Sequence, residues 1–578
     1  MFEESLNKAQ QWCAHPAIDL EAKKEIQELI QKLPASQTEL HERFYRGLEF
    51  GTGGLRGILG MGENRINRYT VRRAAQALAL TIKKYYPQNA SVVVSYDCRH
   101  GSREFAEETI GVMAAHGIKG RIFSVLTPTP MLSYALRYYK AQAGVMVTAS
   151  HNPPKYNGYK VFWSDGAQVV TPIDQEVIDA YNSLSDWSMI KTMSFKEATA
   201  LGLAQNTDSL VDESFYQMIQ DQVIVNKELC LTQGDKLKIT FTPLHGTAKV
   251  PCETIAKKLG FTHFKTIAEQ AVFDGNFPTV KFPNPEDPSA MKMVVDEMLR
   301  SNSDIAFGSD PDGDRLGVVV NHKGQAHFVN GNELGAIYLH YIFTQRQKNK
   351  TLPANPVIIK SIVTSPVQDK IAATFGAQTI ATLTGFKWMA HAIKELEDKK
   401  SPLNFVFASE ESFGYMPHKE ARDKDGVSSM ALMCEIALFY KLKAMTLIDV
   451  LDEIAETYGF FAETLVSLDY EGLEGAQKIQ RIMEKFRHYS ETEMLFEKIA
   501  KKNDYLKPQE TGLPKSNVLS FLFESGNQLF LRPSGTEPKI KFYVMVAEHS
   551  GNLAQKKERA QEKLTKFSQY LKNICEGI

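Results

Sequence analysis

Four times along this chain a short apolar run of strand length ends abruptly in a polar loop crowded with carboxylates, hydroxyls or cations. Ala143–Ser150 (AGVMVTAS) runs into HNPPKYNGYK, and Asp304–Asp310 (DIAFGSD) runs into PDGDR. Asn404–Glu410 (NFVFASE) runs into ESFGY, and Gln528–Arg532 (QLFLR) into PSGTEPK. A spacing of roughly 100–160 residues is about one unit per domain. Between the units lie helical patterns and further apolar strands such as Pro356–Val363 (PVIIKSIV). Strands alternating with helices predict α/β units on parallel sheets. In such sheets ligands sit beyond the carboxyl ends of the strands. Four loops in that position either converge on one cleft or decorate four separate domain surfaces.

Composition narrows the class. A length of 578 residues suits about four domains of ~100–200 residues each. With 43% hydrophobic and 23% charged residues the chain is neither disordered, fibrous nor a small disulfide scaffold. Its 67 Lys and Arg against 68 Asp and Glu leave a net charge of −1, so no global field draws it to nucleic acid or acidic lipid. Cys13, Cys98, Cys230, Cys252, Cys434 and Cys575 form no CxxC pair, which argues against a zinc or dithiol site and fits a reducing compartment. The first residues carry Glu3 and Glu4 and no apolar core of a secretory signal. No stretch approaches the ~20 apolar residues of a membrane span. The expectation is a cytoplasmic protein with no nucleic-acid or membrane partner. The sequence carries no signal of oligomeric state.

Residues 4–48 read as helical, then Phe50–Gly57 (FGTGGLRG) breaks the pattern, because dense glycine means unusual backbone angles or close approach to a ligand. A helix is expected from about Val71 to Tyr86, and a buried strand over Ser91–Tyr96, ending in Asp97-Cys98-Arg99. Turn-rich stretches near Asn206–Ser209, Asn321–Gly324 and Tyr458–Phe461 place domain joints. The expected domains are 1–207, 208–325, 326–457 and 458–578.

Each loop has a chemical and a bland reading. Asp310, Asp312 and Asp314 alternate in a tight turn, so all three carboxylates can face one hard cation such as Mg²⁺. An EF-hand is excluded, because Arg315 and Asn321 occupy its glycine and glutamate positions. The alternative, a solvated acidic turn, is disfavoured by the apolar strand that precedes it. Thr148-Ala149-Ser150-His151-Asn152-Pro153 puts a hydroxyl beside a histidine, with Lys160 following. Ser150 lies outside any GxSxG elbow, so a serine-rich turn has equal standing. Arg532-Pro533-Ser534-Gly535-Thr536 has the composition of a phosphate cradle without a Walker loop, but without the other loops an ordinary Pro/Gly turn between strands is the preferred reading. Ser409–Gly414 (SEESFG) offers acceptors and donors for sugar hydroxyls, or a capped helix start.

These loops in this order closely resemble the α-D-phosphohexomutase superfamily, from FGTGGLRG to RPSGTEPKIKFY. The finer resemblance is to its long phosphoglucomutase/phosphopentomutase-like branch, through Phe50–Gly57, Thr384–Trp388 (TGFKW), Ser409–Gly414 and Arg532–Lys539. The resemblance implies an α/β protein of four domains around a central cleft, three of them related mixed α/β sandwiches and the last a smaller α+β domain. It implies phosphoserine at Ser150 and a metal site of Ser150, Asp310, Asp312 and Asp314. Lys160 and His151 would act as acid/base groups beside Arg56. The substrate-binding residues would be Thr384, Gly385, Lys387, Glu410, Ser412 and Lys424, with Arg532, Ser534, Gly535 and Thr536 on the distal phosphate. Some relatives carry a sugar-contacting histidine just after the glutamate–serine loop. Here that stretch is Phe413-Gly414-Tyr415, and the nearest histidine is His418.

The implied activity is that of a phosphoglucomutase, with Mg²⁺, a sugar 1,6-bisphosphate activator and a phosphosugar substrate. Ser150 would donate its phosphoryl group, and the bisphosphate would turn and return the other phosphate. A phosphomannomutase or phosphopentomutase is the alternative within the superfamily. A silent phosphosugar-binding protein and a metal phosphatase are the alternatives outside it.

Overall fold

The computed structural model describes every residue except Met1, Thr52, Glu471, Phe496 and Gly535–Pro538. The chain divides into two compact units. The first comprises Met1–Asn330, Ile393–Ser401 and Phe413–Lys443, and the second Gly331–Ala392, Pro402–Ser412 and Ala444–Ile578.

The first unit opens with helices Phe2–Ala14, Leu20–Gln31 and Gln37–Phe44, where one helical region was expected. They bury Trp12, Ile26 and Phe44, with Trp12 edge-on to Tyr69. The first sheet holds β1 (Gly54–Ile58), β2 (Ser91–Tyr96), β3 (Lys119–Ile122), β4 (Ala143–Val147), β5 (Tyr156–Trp163) and β6 (Ala204–Asn206), in the order β1-β5-β4-β2-β3-β6. β2 pairs in parallel with β3 and β4, whereas β5 runs antiparallel to β4 and β1. The β-branched SVVVSY run of β2 and all five residues of β4 are buried to this depth because helices cover the parallel strands. The helix Arg68–Tyr85 packs there, started by an Asn67–Thr70 capping box.

The second sheet holds β7 (Ile239–Thr242), β8 (Phe264–Thr266), β9 (Ile305–Ser309), β10 (Leu316–His322) and β11 (Gln325–Val329), in the order β11-β10-β9-β7-β8. The expected joint at Asn321–Gly324 is instead the turn of the β10–β11 hairpin, and this sheet continues to Val329. Polar turn composition marks a hairpin as strongly as a linker.

In the second unit β12 (Pro356–Ser361) pairs in parallel with β13 (Gln378–Thr382) and β14 (Asn404–Glu410). Its C-terminal part carries β15 (Phe460–Asp469), β16 (Glu493–Met494), β17 (Glu497–Asp504), β18 (Leu519–Phe523), β19 (Gln528–Pro533) and β20 (Lys539–Glu548). Among the described residues these order as β15-β20-β19-β18-β17-β16. The helices Gly472–Arg487 and Leu553–Glu576 contribute Phe486, Phe567 and Leu571 to its core.

Candidate active site

The chain leaves β4 through Thr148, Ala149 and Ser150, all buried. Ser150 has a φ of 51°, a left-handed conformation that costs a non-glycine residue on the order of 1–3 kcal/mol unless its surroundings impose it. Here they do. Thr148 Oγ1 accepts the Ser150 N–H at 2.8 Å and donates to Asp97 Oδ2 at 2.6 Å. The buried Arg99 guanidinium donates from Nη2 to the Ser150 and Asn152 carbonyls, each at 2.5 Å, and from Nη1 to those of Pro153 and Tyr156, each at 2.9 Å. One planar fork therefore fixes four carbonyls of the loop. Gly158 of β5 passes beneath, where a Cβ would lie 2.4 Å from the Thr148 carbonyl oxygen.

The second loop leaves β9 at Asp310. Gly313 turns the chain with φ of +70°, so the carboxylates at 310, 312 and 314 point inward. All three residues are fully buried, and their ligand oxygens lie within 4.8 Å of one another. Asp310 Oδ1 accepts the N–H groups of Asp314 at 3.1 Å and Arg315 at 3.0 Å. Its Oδ2 accepts the Ser150 hydroxyl at 2.8 Å. Asp312 Oδ2 accepts from Lys160 Nζ at 2.6 Å and from Thr129 Oγ1 at 2.9 Å. Asp314 Oδ2 faces Lys160 Nζ at 3.3 Å and Lys424 Nζ at 2.8 Å. Oδ1 of Asp312 and Oδ1 of Asp314 are buried with no hydrogen-bond partner among the described residues. Buried carboxylate oxygens without donors are costly. A hard cation satisfies them, and the all-oxygen donor set fits Mg²⁺ or Ca²⁺ chemistry.

The electrostatics follow from this crowding. Burial, then the charges of Asp314 and Asp312, pushes the Asp310 carboxyl well above the usual carboxylate range. Burial works against the charge of Asp312 too, but Lys160 and Lys424 hold it below that range. Burial opposes the Lys160 ammonium, and Asp312 and Asp314 nevertheless keep it above its ordinary value. His151, whose Nδ1 lies 3.3 Å from Ser150 Oγ, is pushed well below the ordinary imidazole value by desolvation and then by Arg315 and Arg56.

The first unit thus brings Ser150, His151 and Lys160 together with Asp310, Asp312, Asp314 and Lys424. Arg56 on β1 joins them by donating from Nη1 to Asn152 Oδ1 at 3.0 Å. The remaining candidates lie in the second unit. Thr384, Gly385 and Lys387 follow β13, and the Gly385 N–H donates to Glu410 Oε1 at the end of β14. Lys387 Nζ sits 5.1 Å from the centre of the Trp388 ring. Ser412 follows beside Glu411, which accepts from Ser361 Oγ at 3.2 Å. Arg532 lies on β19, and the Ser534 N–H donates to the Lys539 carbonyl at 2.8 Å. Gly535 and Thr536 fall outside the described residues.

Sequence reading missed two supports. Arg99 carried a signal, since a charged Asp97/Arg99 pair directly after the buried SVVVSY strand is either exposed or paired. Thr129, inside a Pro-flanked helix start, carried none.

Family models describing phosphoglucomutase/phosphomannomutase alpha/beta/alpha domains I, II and III match residues 47–186, 213–324 and 330–458. The chain belongs to the phosphoglucomutase/phosphomannomutase family. Phosphoglucomutase of Staphylococcus epidermidis is 36% identical over 544 residues, covering 91% of this chain and 96% of the relative. That of Staphylococcus aureus (strain MRSA252) is 36% identical over 520 residues, covering 88% and 91%. Like these relatives the chain is an isomerase of carbohydrate metabolism. Among solved structures, parafusin, the Paramecium phosphoglucomutase in its open form, superposes with a TM-score of 0.68 at 19% identity, covering 91% of this chain and 96% of that one. A phosphoglucomutase/phosphomannomutase family protein from Burkholderia thailandensis gives 0.64 at 18% identity, covering 90% and 97%. These two share the fold of a phosphoglucomutase/phosphomannomutase family member. The buried aspartate triad is the feature of this member that fits a metal.

Proposed function

We propose that the chain interconverts α-D-glucose 1-phosphate and glucose 6-phosphate through a phosphoserine at Ser150 and a glucose 1,6-bisphosphate intermediate. The observation that carries this is the Ser150 hydroxyl seated on Asp310, beside two buried carboxylate oxygens that lack donors among the described residues. A protein hydroxyl seated there is the acceptor that a phosphoenzyme route requires.

Phosphoryl transfer asks a protein for alignment and charge neutralisation rather than for covalent help. Arg99 and Thr148 supply the alignment by fixing the backbone that carries Ser150. Asp310, Asp312 and Asp314 would hold Mg²⁺, which when bound supplies positive charge to the transferring phosphoryl group. Lys160 and Lys424 add fixed positive charge at the same carboxylates. His151 or Lys160 takes and returns the sugar hydroxyl proton, and Arg56 steadies the loop through Asn152. Glu410 and Ser412 bind sugar hydroxyls, with Thr384, Gly385 and Lys387 beside them. Arg532, Ser534, Gly535 and Thr536 take the phosphate that is not being transferred. A sugar 1,6-bisphosphate activates by phosphorylating Ser150. Six free cysteines suit a cytoplasmic location.

The test is turnover of glucose 1-phosphate coupled to glucose-6-phosphate dehydrogenase, run beside a phosphate-release assay. Isomerisation without stoichiometric release of phosphate is expected. A higher kcat/KM for mannose 1-phosphate or ribose 1-phosphate would reassign the substrate, and net phosphate release would replace the mutase by a phosphatase.

A further inference from the structure

The loop His418–Asp425 carries Lys424 to Asp314 and leads into the helix Gly426–Lys441, for which Asp425 is the N-cap. His418 is not exposed toward a sugar. It is 4% accessible, and both of its ring nitrogens are used within the loop and the first turn of that helix. Nδ1 accepts the Glu420 N–H at 3.1 Å. Nε2 donates to Asp425 Oδ2 at 2.9 Å and lies 3.1 Å from Ser428 Oγ. The partners set the tautomer, since a backbone amide requires an acceptor at Nδ1 and a carboxylate requires a donor at Nε2.

Histidine, aspartate and serine in one buried cluster invite comparison with a hydrolytic triad, and the geometry excludes it. A relay needs the nucleophile on one ring nitrogen and the orienting carboxylate on the other. Here serine and aspartate share Nε2, and Ser428 Oγ itself donates to Asp425 Oδ2 at 2.5 Å. The cluster instead ties the beginning of the loop to its end, one residue past Lys424.

The loop is fixed on its outer side as well. Ser133 Oγ accepts the Arg422 N–H at 2.7 Å, and Gln168 Nε2 donates to Asp423 Oδ2 at 2.7 Å. Arg422 Nη2 reaches both Glu397 carboxylate oxygens at 2.7 Å. Those contacts grip residues 422 and 423. On the other side of Lys424, Asp425 donates its N–H to the Tyr415 carbonyl at 2.8 Å and accepts the Ser428 N–H on Oδ1 at 2.9 Å, and the His418 ring ties its Oδ2 back to the start of the loop. At the helix start there is no slack, because a Cβ on Gly426 would lie 2.7 Å from the Gly313 carbonyl oxygen of the aspartate loop.

We propose that His418 is a positioning residue for phosphoryl transfer, holding Asp425 so that the Lys424 ammonium stays on Asp314. This rests on the reading above that Lys424 serves the phosphosugar reaction.

The experiment is a double-mutant cycle on the full chain, with glucose 1-phosphate turnover and Tm measured for wild type, His418→Ala, Lys424→Ala and the double variant. Removing a buried ring that satisfies two partners should lower kcat about tenfold or more in the wild-type background. It should lower kcat less than about twofold once Lys424 is already alanine, because the two residues act as one unit. His418→Gln, which offers one acceptor and one donor, should recover most of the turnover. Equal losses in both backgrounds, or an unchanged kcat in His418→Ala, would overturn the proposal. If His418→Ala shows no cooperative unfolding, Ser428→Ala enters the cycle in its place with the same two outcomes. If Lys424→Ala alone keeps wild-type turnover, the reading of Lys424 is what has failed, and the positioning role falls with it.

Discussion

Ser150 Oγ donates a 2.8 Å hydrogen bond to Asp310 Oδ2, joining two strand-end loops that lie 160 residues apart in sequence. The contact places an acceptor for a phosphoryl group beside carboxylates suited to a cation, and it makes the two loops one chemical unit. Neither loop alone has this property. A hydroxyl without a neighbouring charge centre is inert toward phosphate, and an acidic cluster without an acceptor only binds metal.

Oδ1 of Asp312 and Oδ1 of Asp314, without partners among the described residues, predict a strict cation requirement. EDTA treatment should abolish isomerisation, and added Mg²⁺ should restore it. Asp312→Asn should lower kcat by roughly a hundredfold or more, because the loss falls on transition-state charge. Its circular dichroism should match wild type. Full turnover in chelated, metal-free buffer would contradict the site.

Arg99 predicts a coupled loss of stability and rate. Its buried guanidinium lies 3.2 Å from the buried Asp97 carboxylate and spans the Ser150 loop. Burial already pushes the Asp97 carboxyl up against the lowering influence of Arg99. Arg99→Ala leaves that acid unpaired, and breaking such a pair costs about 3–5 kcal/mol. Tm should fall, and kcat should fall further than a folded fraction explains, because Ser150 is then free to leave its left-handed conformation. An unchanged kcat in the folded variant would show that the clamp is only structural.

The pH dependence of stability should carry the signature of Glu463 on β15. Burial raises its carboxyl to about 7, aided by Glu333 and opposed by the hydrogen bonds of Ser365 and Asn332 and by the charge of Lys360. The fold therefore keeps a proton that the unfolded chain releases at ~4.3, and stability falls as pH rises through that window. Glu463→Gln removes this slope. The Tm of the variant minus that of wild type should grow more positive from pH 5 to pH 8. A difference independent of pH would rule out the elevated carboxyl.

Much of this site is legible in one sequence, and the reason is local. The aspartates of DPDGD, the hydroxyl of TASHNP and the lysine of NGYK are fixed in spacing by short turns, so their residue types already state their chemistry. What supports them is not local. Arg99 reaches the Ser150 loop through a guanidinium that crosses 51 residues, and Thr129 reaches Asp312 across 183. A single threonine gives no hint of a partner so distant, and the Asp97/Arg99 pair signals only that its charges are exposed or paired, not which loop they hold. The same limit explains Asn321–Gly324, where turn composition is identical for a hairpin and for a linker and only strand register decides. It also explains His418, whose residue type says nothing of the loop-spanning bonds that its two ring nitrogens make.

Arg532 predicts a symmetric effect on the two monophosphates. If its guanidinium binds whichever phosphate is not being transferred, Arg532→Ala should raise KM for glucose 1-phosphate and glucose 6-phosphate by similar factors. Loss of a charge-assisted contact of ~2–3 kcal/mol corresponds to roughly thirty- to a hundredfold. Free bisphosphate should also accumulate after a single turnover. A large change for one monophosphate alone would argue against a shared cradle.

The most direct test is to locate the phosphate during turnover. Wild-type protein incubated with glucose 1,6-bisphosphate should gain one phosphate by intact mass, mapped by peptide analysis to Ser150, and should lose it to added glucose 1-phosphate as glucose 6-phosphate forms. Ser150→Ala should gain none and should show no isomerisation above background. A Ser150→Ala variant that isomerises at the wild-type rate, or a phosphate that maps elsewhere, would contradict the phosphoserine mechanism.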